Sequence, residues 1–144
     1  DEGAAAAGAE RVDKDTLFRE SDVISIHLVL GARSKGLVGA RELGLMRPNA
    51  YLINTSRGPI VEEAALLAAL GEKRIAGAGL DVYDAEPMAD DHPFRKLDNV
   101  VLTPHLGYWT EETVHGFYND CIEAIGAYLD GKPIRLLNPE AVKR

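Results

Sequence analysis

Arg57, Asp81, Glu86 and His105 are the residues of this 144-residue chain whose types and spacing can do chemistry together. Each stands in a polar segment that directly follows an apolar one: Asn54-Thr55-Ser56-Arg57-Gly58, Asp81-Val82-Tyr83-Asp84-Ala85-Glu86-Pro87, and Thr103-Pro104-His105-Leu106-Gly107. An arginine grips a carboxylate through two parallel hydrogen bonds. Its charge also polarises a neighbouring carbonyl. A histidine can take a hydroxyl proton in one direction and return it in the other. A carboxylate beside the imidazole favours its charged form and fixes its orientation. Asp81 can accept a hydrogen bond from an amide. The set suits a 2-hydroxy acid whose C2 hydride leaves for an acceptor. No side chain here accepts a hydride, so the chemistry requires a cofactor.

The elements around these segments supply the means of bringing them together. Asp22 to Val29 is rich in β-branched residues and is predicted as a buried strand. Asp15 to Glu20 precedes it as a short helical turn with an aspartate available as its cap. A polar loop runs from Gly31 to Gly36, and Ala40 to Met46 is a short helix that stops before Pro48. Ala50 to Asn54 is a second strand. Pro59 opens a helix over about Val61 to Leu70, with Glu62 and Glu63 in its first turn. Ile75 to Leu80 and Val100 to Leu102 are the third and fourth strands, separated by a polar loop. Thr110 can cap a last helix on which Val114, Phe117, Cys121, Ile122, Ile125 and Leu129 recur at helical spacing as one buried face. Gly131 and Pro133 end it. Alternating strands and helices predict an α/β fold with a parallel sheet. In such sheets ligands bind beyond the carboxyl ends of the strands, which is where Arg57, Asp81 and His105 fall.

Composition narrows the class. A hydrophobic content of 46% with 27% charged residues is that of an ordinary globular protein. The net charge of −7 repels a phosphate backbone or an anionic bilayer on average, so neither nucleic acid nor membrane is an expected partner. The one cysteine, Cys121, cannot form an internal disulfide, which fits a reducing, cytoplasmic setting. It falls on the apolar helix face and reads as a buried small hydrophobe. Four dispersed histidines show no metal-ligand spacing; His27 reads as structural, and His92 and His115 as loop and helix-surface residues. Ser56 lacks a nucleophile elbow. The chain does not begin with methionine, and the expectation is that a longer N-terminal portion precedes it.

Three segments resemble a known family. Asn54-Thr55-Ser56-Arg57-Gly58-Pro59-Ile60-Val61-Glu62-Glu63 is similar to the arginine motif of the D-2-hydroxyacid dehydrogenases. Gly77-Ala78-Gly79-Leu80-Asp81-Val82-Tyr83 with Glu86-Pro87 resembles their aspartate and glutamate motif, and Asn99 to Gly107 their histidine motif. Order and spacing agree across all three, and the likeness runs from about Leu17 to the C-terminus. It implies a partial Rossmann-like, doubly wound parallel sheet: residues 1–130 as the downstream part of an NAD-binding domain, and 131–144 as a tail leading back toward a substrate domain. It implies Arg57, Glu86 and His105 as catalytic residues, with His105 the general acid/base paired to Glu86. Leu28, Val29 and Leu30 would line the adenosine side of NAD, or of NADP. Asp81 would hold the nicotinamide carboxamide, and Thr55, Ser56, Arg57, His105, Gly107 and Tyr108 would complete the coenzyme contacts. The substrate would be a small 2-oxo or D-2-hydroxy acid of glyoxylate, hydroxypyruvate or 3-phosphoglycerate type, and the assembly a homodimer.

The chain departs from the family in three places. The loop after His27 lacks the usual proline and threonines, Tyr108-Trp109 stands where a small residue is common, and these residues contain no G-x-G-x-x-G. A protein of these residues alone is expected to hold cofactor poorly and not to turn over. Glutamate at position 86 argues against the formate dehydrogenase branch, which pairs its histidine with glutamine. Two other readings stand beside the enzyme: a dinucleotide-sensing, corepressor-like interaction module, and an inactive truncated remnant.

Overall fold

The computed structural model describes residues 2–142. They form α1 (Glu2–Ala6), α2 (Lys14–Glu20), β1 (Val23–Ile26), α3 (Ala40–Leu45), β2 (Tyr51–Asn54), α4 (Glu63–Gly71), β3 (Gly77–Leu80), β4 (Val100–Leu102) and α5 (Glu111–Leu129), with short 3-10 turns at Gly58–Ile60, Pro93–Lys96 and Pro139–Val142. The chain divides into two compact units, one ending at Leu106 and the other beginning at Gly107. Among the described residues no helix is long and apolar enough to cross a membrane.

The first unit is built on a four-stranded, all-parallel sheet in the order β1-β2-β3-β4. Its register sets Ile26 beside Asn54, Asn54 beside Leu80, and Leu80 beside Leu102. The chain therefore leaves all four strands at one edge, so the three polar segments start as neighbours. One sheet face carries Ile24, Ile26, Leu52, Ala78 and Leu80, packed in a core with Phe18, Leu43, Leu66 and Leu70 from the helices. Along the other face Val23, Tyr51 and Val101 are exposed.

Local signals explain the helix ends. The Asp13 carboxylate accepts hydrogen bonds from the Thr16 amide at 3.0 Å and its hydroxyl at 2.7 Å, capping α2. Glu42, buried in α3, accepts from the Gly39 amide and pairs with Lys14 at 2.8 Å. Chiefly through the Lys14 contact, and against the cost of burial, its carboxyl is lowered to about 2. Thr110 caps α5 by accepting from the Thr113 amide.

Three sequence expectations need correction. The first strand is shorter than Asp22 to Val29 and only half-buried, with an alternating pattern, because one face of the sheet is open there, and β2 inside the sheet alternates likewise. The helix expected from Val61 starts at Glu63: Pro59 opens a 3-10 turn instead, and Val61 is extended in a bridge to Val38. The apolar face of α5 is not buried. Phe117, Ile122, Ile125 and Leu129 are 55%, 68%, 61% and 77% exposed, and Cys121 is exposed with them. Periodicity identifies an apolar face but not what covers it, and one helix with a short tail cannot enclose its own stripe.

Candidate active site

The arginine segment is shaped by Asn54, the last residue of β2 and almost wholly buried. Its side-chain oxygen accepts from the Ser56 amide at 3.1 Å, and its side-chain nitrogen donates to the Arg57 carbonyl at 3.0 Å. This asparagine turn makes the chain reverse without leaving buried backbone groups unpaired. The Ser56 hydroxyl donates to the Ile26 carbonyl at 2.7 Å, tying the turn to the end of β1. Arg57 and Thr55 are exposed on the turn. The Arg57 guanidinium donates to the Ser56 carbonyl at 2.6 Å.

Asp81 follows β3 and is buried. One carboxylate oxygen accepts from the Thr103 hydroxyl at 2.6 Å and from the Leu106 amide at 2.9 Å. These two partners bracket Pro104 and His105. His105 has φ of 54°, in the left-handed region that non-glycine residues seldom occupy. That conformation costs on the order of 1–3 kcal/mol and persists where the surroundings over-determine it. The Asp81 carboxylate, bonded on either side of the turn, is such a constraint.

Glu86 uses both oxygens. Oε1 accepts from the Tyr83 amide at 2.9 Å, and Oε2 lies 2.6 Å from His105 Nδ1. Burial by itself would raise the Glu86 carboxyl. The hydrogen bonds from His105 and the Tyr83 amide, with the charges of His105 and Arg57, bring it below its ordinary value. Among these influences on the Glu86 carboxyl, the Arg57 charge is the last. A cavity of about 630 Å³ opens beside it, walled by Tyr83, Glu86, Met88, Arg95, Leu102 and His105 among others.

Leu28, Val29 and Leu30 follow β1 and are exposed, Val29 at 91%. They line an apolar hollow of about 590 Å³. The Ser34 hydroxyl shapes the loop, donating to the Val29 carbonyl at 2.7 Å and accepting from the Gly31 amide at 2.9 Å. Gly107 and Tyr108 belong to the second unit. There the Tyr108 ring makes an edge contact with Trp109, centroids 5.9 Å apart.

The structure thus brings Arg57, Asp81, Glu86 and His105 to one sheet edge, with Thr55 and Ser56 on the same turn as Arg57. Leu28 to Leu30 stand at the end of the neighbouring strand β1. Sequence reasoning missed Asn54, Thr103 and Tyr83 as shaping residues. A buried asparagine two residues before a serine is a readable turn signal. The roles of Thr103 and Tyr83 depend on contacts between strands and leave no local signature.

A four-stranded parallel sheet with its polar segments gathered along the carboxyl edge defines a Rossmann-like α/β unit. Residues 1–107 match the family model "D-isomer specific 2-hydroxyacid dehydrogenase, NAD binding domain", and the chain belongs to that family. A glyoxylate reductase of Thermococcus litoralis is 46% identical over 136 residues, which are 94% of this chain and 41% of that protein. An oxidoreductase of Ralstonia solanacearum has a TM-score of 0.91 at 34% identity, covering 99% of this chain and 42% of the other. The NAD-complexed D-isomer specific 2-hydroxyacid dehydrogenase of Lactobacillus delbrueckii ssp. bulgaricus has a TM-score of 0.76 at 30% identity, covering 90% and 44%. The chain spans less than half the length of each.

The residues present fit part of a bound dinucleotide. The exposed apolar Leu28–Leu30 shelf and the hollow it lines have room for a flat ring of that group. Among the described residues no group of histidine, cysteine and acidic side chains could hold a metal ion.

Proposed function

We propose that the full-length protein containing this chain reduces a small 2-oxo acid to the D-2-hydroxy acid, and runs the reverse oxidation. The reading is carried by the 2.6 Å contact between Glu86 and His105, at the sheet edge that also carries Arg57. Arg57 binds the substrate carboxylate and draws electron density from the adjacent carbonyl. With Nδ1 committed to Glu86, proton exchange with the substrate oxygen falls to Nε2 of His105. Glu86 sets the ring orientation and stabilises the imidazolium. Asp81 holds the turn that presents His105 and receives the carboxamide of the coenzyme. Bound NADH or NADPH supplies the hydride.

The likeness to a glyoxylate reductase makes glyoxylate the first substrate to test, followed by hydroxypyruvate and larger 2-oxo acids. The protein assembles as a homodimer in this reading, which light scattering on the same sample measures. The decisive variant is His105→Ala. NADH oxidation by glyoxylate should fall to background while NADH still binds with near wild-type affinity, read by fluorescence titration. Normal turnover in that variant sinks the assignment.

A further inference from the structure

Tyr83 touches all three motifs. Its phenol oxygen lies 2.8 Å from the Thr103 carbonyl and 3.0 Å from the Leu80 carbonyl, with its single proton shared between them. Thr103 is two residues before His105, and Leu80 is the last residue of β3. The Tyr83 amide donates to Glu86 Oε1 at 2.9 Å. The Tyr83 carbonyl group lies directly over Gly58, the residue after Arg57, where a Cβ would overlap it. The ring is 7% exposed and also walls the cavity beside His105.

We propose that the Tyr83 hydroxyl is a positioning group for the Glu86–His105 pair, fixing the ends of β3 and β4 so that the two side chains meet. The proposal rests on the reductase reading only for its consequence in turnover. A phenylalanine ring would fill the same space, so packing alone does not require the hydroxyl. What the hydroxyl adds is a crosslink between two segments that leave adjacent strands, one carrying Glu86 and the other His105. Without it the Thr103 carbonyl loses that donor, and the strand ends are left to the Thr103 amide on the Leu80 carbonyl at 3.0 Å and the Thr103 hydroxyl on Asp81 at 2.6 Å, a tie with more play. At the 2.6 Å contact of Glu86 with His105 a small movement weakens the bond appreciably. Burial, then the nearby Asp81 charge, push the phenol above its ordinary value, so it remains a donor throughout the working pH range.

Glu86 reports the geometry. Burial raises its carboxyl, while His105, the Tyr83 amide and then the Arg57 charge lower it. Arg95 and His105 are the basic side chains in the wall of the cavity it shares. Loosening the contact with His105 moves the Glu86 titration up toward an ordinary glutamate.

The test compares the full-length wild type with Tyr83→Phe. The Glu86 side-chain carboxyl is titrated by carbon NMR, and turnover of glyoxylate is measured beside it. The Glu86 midpoint should rise by about half a unit. The turnover number kcat should fall about tenfold with KM within about twofold, as an interaction expressed in the transition state requires. In a Glu86→Gln background the same substitution should change kcat little, because its effect travels through that carboxylate. An unchanged Glu86 midpoint overturns the proposal. So does a tenfold loss of kcat that persists undiminished in the Glu86→Gln background. A wild type inert on every 2-oxo acid overturns the reductase reading alone, and the Glu86 midpoint still decides the role of Tyr83. If Tyr83→Phe does not fold, exchange of the phenol proton in the wild type is measured by isotope shift with labelled tyrosine. Slow exchange supports the crosslink, and exchange at the rate of a solvated phenol overturns it.

Discussion

Gly58 and Tyr83 pack backbone against backbone, so closely that a Cβ at position 58 would overlap the carbonyl carbon and oxygen of Tyr83. Gly58 has no positive φ that would call for glycine. Its requirement is space. The arginine turn and the glutamate loop are pressed together there. Gly58→Ala should therefore force the two loops apart. The expected cost is about 1–3 kcal/mol of stability, read as a lower denaturation midpoint, together with a clear loss of reductase activity. Wild-type stability and turnover would show that the loops yield without consequence.

Replacement of Arg57 by lysine preserves the charge but removes the fork that grips a carboxylate through two bonds. In the full-length enzyme kcat/KM for glyoxylate should fall by about a hundredfold, equivalent to about 2.7 kcal/mol. NADH affinity should change much less. A selective loss of NADH binding would instead assign Arg57 to the coenzyme.

Glu86 should set part of the acid limit of the reaction. Its folded-state carboxyl lies below the ordinary value, so it stays charged as pH falls past about 4.3, the unperturbed glutamate value. Its contribution to stability is present above that unfolded value and is lost as pH falls through the lower folded one. Glu86→Gln should lower kcat by about a hundredfold and remove the Glu86 component from the acid limb of the pH profile. An acid limb identical in both proteins would place the controlling group elsewhere.

Glu42 offers a stability test apart from the site. Lys14 and the Gly39 amide hold its carboxyl down to about 2. A depressed folded value stabilises the fold above the unfolded value of about 4.3. That contribution disappears as pH falls from there through about 2. Glu42→Gln should destabilise the protein at neutral pH by about 1–3 kcal/mol. The gap between variant and wild type should close on acidification, measured by urea denaturation across pH. A gap independent of pH would mean that shape rather than charge is what Glu42 supplies.

Much of this architecture is legible in the residues themselves, because local rules govern it. Apolar runs ending in polar turns mark the strands, and a parallel sheet brings their carboxyl ends to one edge, so Arg57, Asp81 and His105 could be placed together before any fold was seen. The pairing of Glu86 with His105 came from the family resemblance rather than from spacing, since a loop five residues past Asp81 can fold several ways. The α5 stripe was legible as an apolar face and illegible as a buried one, for burial belongs to whatever packs against it.

Element order, the parallel sheet and the residue types gathered at its edge follow from short-range patterning. Long-range packing sets the left-handed backbone of His105, the bracing of its turn by the Asp81 carboxylate, the contact of Gly58 with Tyr83, and the phenol between the ends of β3 and β4. The last three join segments that leave different strands, and the first is held by one of them. Their distances depend on how whole strands and loops settle against one another, and no local propensity encodes that.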